Sequence, residues 1–209
     1  MGSLKDAFIL GLLLFGLMNS IWGVPFLLTY CLSGVRGSFY WTSLFLFGNF
    51  SAYLFVFLLF LYSGGNIIGI IPNLKHFFAL LISLLSLISG FLILLTIATL
   101  KRWLVIFMEE YLISGWVIYL LGFLIGLYLG KSVEGASLYL NSLFPSNKGM
   151  FALASFLLCL GTFISPLYIL APLFRVFPLH TYTKGERRFW DSIAGIMLLI
   201  TGAVFFFLR

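Results

Sequence analysis

The residues best suited to chemistry stand in two short stretches, Lys131-Ser132-Val133-Glu134-Gly135-Ala136-Ser137 and Asn19-Ser20-Ile21-Trp22-Gly23-Val24-Pro25. Lys131 and Glu134 are three residues apart, so on a helix they share a face and can pair. An isolated charge deep in a bilayer costs several kcal/mol, and pairing or hydration lowers that cost. Such a pair suits an ion, a proton or a charged substrate group. Gly23 and Pro25 weaken a helix, and the backbone groups they free need partners or water. The expected solute- or ion-binding set is therefore Asn19, Ser20, Trp22, Gly23, Pro25, Lys131, Ser132, Glu134 and Gly135. A plainer alternative makes 131–148 a solvated loop, with Glu134 an ordinary loop carboxylate.

Other reactive side chains offer less. Cys31 and Cys159 lie far apart with no CxxC spacing, so they give neither a disulfide framework nor a zinc site. A redox pair between them would need Cα atoms within about 7 Å. His76 and His180 fall at loop–helix borders and suit surface positions. No nucleophile–base pair, phosphate-binding glycine loop or paired carboxylates occur, which argues against an enzyme and implies no cofactor and no metal.

The elements that would hold these residues follow from composition. Of 209 residues, 62% are hydrophobic, 19% aromatic and 9% charged. Mean hydropathy is +1.16. A soluble domain runs near half apolar and about a quarter charged. That balance excludes a soluble enzyme and a nucleic-acid-binding module, and the main partner expected is the lipid bilayer. A bilayer core of about 30 Å needs about 20 apolar residues in a helix. Six segments qualify, at 8–32, 39–62, 77–99, 112–140, 150–174 and 189–208. Their unbroken apolar runs favour helix over barrel strands. The expected fold is all-α, a polytopic bundle of six transmembrane helices. Segment 101–111, with Lys101, Arg102, Trp103, Glu109 and Glu110, reads as an amphipathic linker at the interface.

Six crossings put both termini on one side with Lys5, Lys75, Lys148 and Arg209. The other side carries Arg36, Lys101, Arg102, Arg175, Lys184, Arg187 and Arg188. The positive-inside bias then predicts a multi-pass protein of the cell (inner) membrane with both termini outside.

The chain also matches itself at an offset of 112 residues. Ser20 meets Ser132, Gly23 meets Gly135, Ser43 meets Ser155, and Ser89-Gly90 meets Thr201-Gly202. Two three-helix units result, 1–100 and 112–209, joined by 101–111. An odd number of crossings makes them inverted repeats, a design that places a site near the midplane where helices are interrupted. Glycines 115, 122, 126 and 130 form a small-residue stripe, as do Ser83, Ser86 and Gly90. Such stripes allow close helix approach, within the chain or to a second copy or a membrane partner. Asn19 and Asn49 are amides within predicted spans, and Pro166 after Ser165 should kink or break span five.

The helix broken at Ser20-Ile21-Trp22-Gly23-Val24-Pro25, followed by Leu46-Phe47-Gly48-Asn49-Phe50, Ile88-Ser89-Gly90 and the glycines at 195 and 202, resembles the CcdA family and the transmembrane domain of DsbD, which share a superfamily with LysE-type exporters. The resemblance runs over nearly the whole chain and rests on glycine placement and helix rhythm. The thiol branch carries one cysteine beside a proline in the first helix of each half. Here Trp22 stands at the first such position, and the second falls near residues 132–134, again without cysteine. The resemblance therefore implies a transporter or exporter of a small solute or ion. Transmembrane thiol–disulfide electron transfer of the cytochrome c biogenesis type, through Cys31 and Cys159, and a non-transporting subunit of a larger membrane complex are the alternatives.

Overall fold

The computed structural model describes residues 2–17, 23, 38–63, 70–99, 115–169 and 184–207. All regular structure among them is helical. Helix α1 (Gly2–Gly11) runs on as a π-helical segment, Leu12–Leu17. Helices α2 (Ser38–Ser63) and α3 (Ile70–Thr99) are long and unbroken. Then come α4 (Gly115–Tyr128), α5 (Gly130–Leu143), α6 (Lys148–Leu160), a 3-10 turn at Gly161–Phe163, and α7 (Lys184–Phe207).

Three helices are long and apolar enough to cross a membrane. They are Tyr40–Ser63, Lys75–Leu95 and Lys148–Ile169, with mean hydropathies of 2.2, 2.7 and 2.0. The pair Gly115–Tyr128 and Ser132–Leu143 would add a fourth span, bent by 62°. A shorter apolar helix covers Asp191–Phe207. These lengths and compositions suit a membrane-embedded protein. The expected span 112–140 is thus divided at Leu129, where glycines on either side weaken the helix. Leu129 leaves helical geometry at φ −80° and ψ 8°, although its N–H still donates to the Ile125 carbonyl at 3.0 Å. Helix α6 begins on a cap: the Asn147 side-chain oxygen accepts from the Met150 N–H at 3.0 Å.

The broadest interfaces are α3 with α7 and α2 with α4. Small residues set their distance. A Cβ on Gly122 would overlap the Phe45 carbonyl, and one on Gly126 would lie 2.7 Å from the Ala52 Cβ and 3.2 Å from the Asn49 Cα. One on Gly115 would meet the Tyr40 hydroxyl at 3.1 Å. The glycine stripe of α4 therefore serves internal packing, and α2 and α4 run parallel. Helix α1 runs parallel to α6 by the same logic, with Gly11 against Leu158 and Gly16 against Ile164. Helices α3 and α7 run antiparallel, with Gly90 against Gly195 and Gly202 against Ser83.

Candidate functional site

Several expected site residues lie outside the described residues: Asn19, Ser20, Trp22, Pro25 and Cys31, together with His180 and the whole linker 101–111. Gly23 is helical and buried. A Cβ there would stand 2.8 Å from the Phe45 ring and 2.9 Å from the Leu167 side chain. Lys131, Ser132, Glu134 and Gly135 all lie on α5. Ser132 and Glu134 are half-buried, and Gly135 faces open space, with nothing within 4 Å of where a Cβ would be. Helix α5 buries Val133, Ala136 and Leu140 in a cluster with Phe15, Tyr53, Val56, Phe57, Leu158 and Cys159. Gly23 packs beside Phe45, whereas the buried face of α5 belongs to the cluster that holds Tyr53, Val56 and Phe57 of α2. Phe45 and Tyr53 are eight residues apart on α2, about 12 Å of helical rise.

Two of the buried hydroxyls are satisfied by their own helix, whereas those of Ser83 and Ser155 have no hydrogen-bond partner among the described residues. Ser86 donates to the Ile82 carbonyl and Ser137 to the Val133 carbonyl, each at 2.7 Å. These bonds hide polarity within a span and mark no site. Cys159 is a free thiol, fully buried in the cluster around Phe15. It packs as a small apolar group.

The irregular backbone gathers elsewhere. The π segment Leu12–Leu17 packs against the 3-10 turn Gly161–Phe163. Two departures from α geometry thus face each other between apolar helices. Gly11 and Gly161 allow it: a Cβ on Gly161 would overlap the Gly11 carbonyl carbon and lie 2.6 Å from the Leu12 nitrogen. Beyond the turn the chain bends at Ile164, and Pro166 prevents the helix from re-forming through Ser165. The Ser165 hydroxyl instead accepts from the Leu167 N–H at 3.2 Å. One turn on, the Tyr168 hydroxyl bonds Ser43 on α2 at 3.1 Å.

Thr162 is fully buried, and its hydroxyl donates to the Cys159 carbonyl at 2.6 Å. At the same level on α2, Asn49 is also fully buried. Its amide donates to the Phe45 carbonyl at 3.3 Å, and its Oδ1 accepts from no described residue. The neighbouring rings of Phe50 and Phe163 are 5.2 Å apart. Irregular backbone at membrane depth is tolerated only where protein or a polar cavity supports it, and π segments recur at functional sites. The junction of the π segment with residues 161–166 is accordingly the strongest candidate. In the sequence, Ser165-Pro166 is the visible signal for it. Gly16, Gly161 and Thr162 give none in an apolar run.

Among the described residues no three His, Cys, Asp or Glu side chains gather as a metal site. Compared with known proteins, the chain matches no family model, no curated protein and no solved structure.

Proposed function

We propose that this chain is a small membrane transporter or exporter for a solute or ion, built from two three-helix units threaded in opposite senses through six crossings. Its path would run beside the junction of residues 12–17 with 161–166. The observation that carries the proposal is a correspondence between helix crossings. A Cβ on Gly122 would overlap the Phe45 carbonyl as one on Gly11 would overlap that of Leu158. A Cβ on Gly48 would approach the Gly122 carbonyl carbon and the Phe123 nitrogen, and one on Gly161 the equivalent atoms of Gly11 and Leu12. The α1–α6 crossing thus repeats as α4–α2. The α3–α7 crossing repeats onto itself, because Gly90 meets Gly195 and Leu199 as Gly202 meets Ser83 and Leu87.

Exchange of the two halves accounts for all three pairs. An axis that swaps antiparallel helices runs across them, so for helices crossing a bilayer it lies in the membrane plane. The running directions agree as well: spans one and five parallel, two and four parallel, three and six antiparallel. The aromatic ends of α2 fit a bilayer. Tyr40 and Tyr62 are 22 residues apart, about 33 Å along a helix, and both are exposed. Trp116, 81% exposed, stands at the Tyr40 end. Aromatic side chains of this kind favour the headgroup level.

Inverted units with interrupted helices are the architecture of many secondary transporters, which agrees with the exporter resemblance in the sequence. Ser132 and Glu134 on α5 would mark the end of the path where α2 and α4 finish. The test is flux. Protein reconstituted in liposomes on a sensor membrane is challenged with amino acids of each charge class and with divalent metal ions. At least one class should drive a current, and Glu134→Gln should remove it while leaving insertion intact. Silence toward every class would favour a subunit of a larger complex.

A further inference from the structure

We infer that the broken fifth span, together with the facing π segment, binds an alkali-metal cation such as sodium. The inference rests on the transporter reading for its purpose, which is to couple solute movement to a cation gradient.

Three consecutive carbonyls carry it. In an α-helix each carbonyl accepts the N–H four residues on. Thr162 would need that of Pro166, which has none. Phe163 would need the Leu167 N–H, which donates instead to the Ser165 hydroxyl. Ile164 would need the Tyr168 N–H, which donates to the Ser165 carbonyl at 3.1 Å. All three lose their helical donor at one place, inside an otherwise apolar span.

Of the three, the Ile164 carbonyl is placed against the π segment. The Ile164 carbonyl oxygen stands 2.8 Å, and that of Gly161 3.0 Å, from where a Cβ on Gly16 would be. Gly16 of the first half therefore lies directly against two carbonyl oxygens of the second, of which that of Gly161 also accepts the Ile164 N–H at 3.1 Å. Thr162 spends its hydroxyl proton on the Cys159 carbonyl, so its oxygen lone pairs remain available to a cation. On α2, next to Phe50, whose ring lies 5.2 Å from that of Phe163, Asn49 carries a fully buried amide oxygen that accepts from no described residue.

The chemistry of the donors selects the ligand. Backbone carbonyls, a hydroxyl and an amide are hard, neutral oxygens. A divalent ion loses too much hydration to be held without carboxylates, whereas a monovalent ion is matched by such a set. Unwound carbonyls in a broken span are the usual coordinating groups for sodium in membranes.

The test is thermal unfolding of the purified full chain in detergent, with sodium chloride replacing choline chloride at constant total chloride, and lithium and potassium in parallel. Unfolding temperature should rise saturably with sodium, as for any ligand of the folded state. Thr162→Ala should raise the half-saturating sodium concentration roughly tenfold, equivalent to about 1.4 kcal/mol of binding, and Thr162→Ser should restore it. Pro166→Ala returns an N–H to the Thr162 carbonyl and favours the helix, so it should weaken the sodium response without harming folding. An unfolding temperature indifferent to sodium, or Thr162→Ala and Pro166→Ala proteins that respond like the native chain, would overturn the inference. Solute currents that persist unchanged in choline would sink the cation site and leave the transporter. Saturable sodium stabilisation with no solute current would do the reverse.

Discussion

Gly90 and Gly202 hold the same place on each other's partner helix. A Cβ on Gly90 would stand 3.0 Å from the Leu199 nitrogen, and one on Gly202 3.0 Å from the Leu87 nitrogen. The two glycines are 112 residues apart, and so are Leu87 and Leu199, as well as Ser83 and Gly195. One helix pair thereby repeats itself end for end, as the proposed exchange of two halves requires.

Close approach at the crossings makes the glycines there intolerant of a single methyl. Gly122→Ala and Gly48→Ala place a Cβ against the backbone of the facing helix. Each should cost about 1–3 kcal/mol by overpacking. Gly135→Ala meets nothing within 4 Å and should be neutral, or stabilise α5 by about 0.5–1 kcal/mol. Unfolding midpoints in detergent, compared across the three variants, check this ranking.

The hydrogen bond between Ser43 and Tyr168 joins α2 to the far side of the break that follows α6. Interhelical polar pairs in membranes are worth roughly 0.6–1.7 kcal/mol. A double-mutant cycle with Ser43→Ala and Tyr168→Phe should return a coupling in that range. Additive single effects would mean that the bond contributes nothing.

Cys159 is fully buried and free. Maleimide should leave it unmodified in the folded chain and label it once the protein is denatured. Cys159→Ala should fold and insert normally, since the thiol serves as a small apolar group. Rapid labelling in the native state would instead reopen a redox role.

The long spans and the α4 glycine stripe are legible in the sequence, because both depend on residue type alone. A single offset conceals the rest. Contact-equivalent residues lie 112 apart only in α3 and α7. Between α2 and α6 the spacing is 113, as for Phe45 with Leu158 and Gly48 with Gly161. Between α1 and α4 it is 111, as for Gly11 with Gly122. A gapless comparison aligns one pair and misses two, so it leaves Gly48-Asn49-Phe50 and Gly161-Thr162-Phe163 unmatched. The π segment has the same cause. Its wider turn spaces Gly11 and Gly16 five residues apart, where Gly122 and Gly126 on α4 are four apart, and hydropathy cannot register a difference in turn width. The charged stretch 131–137 stands out because polar residues are scarce. The burial of α5 in the cluster of Tyr53 and Phe57, and the packing of Gly23 beside Phe45, follow from helix ends that residue type does not specify.

The proposed opposite threading of two units is tested most directly by sidedness. Single cysteines at Lys5, Trp116 and Lys148, in a chain lacking Cys31 and Cys159, are probed with an impermeant maleimide on vesicles of each orientation. Positions 5 and 148 should react from one face and position 116 from the other. Labelling of 5 and 148 from opposite faces, or of 116 together with 148, would contradict the account.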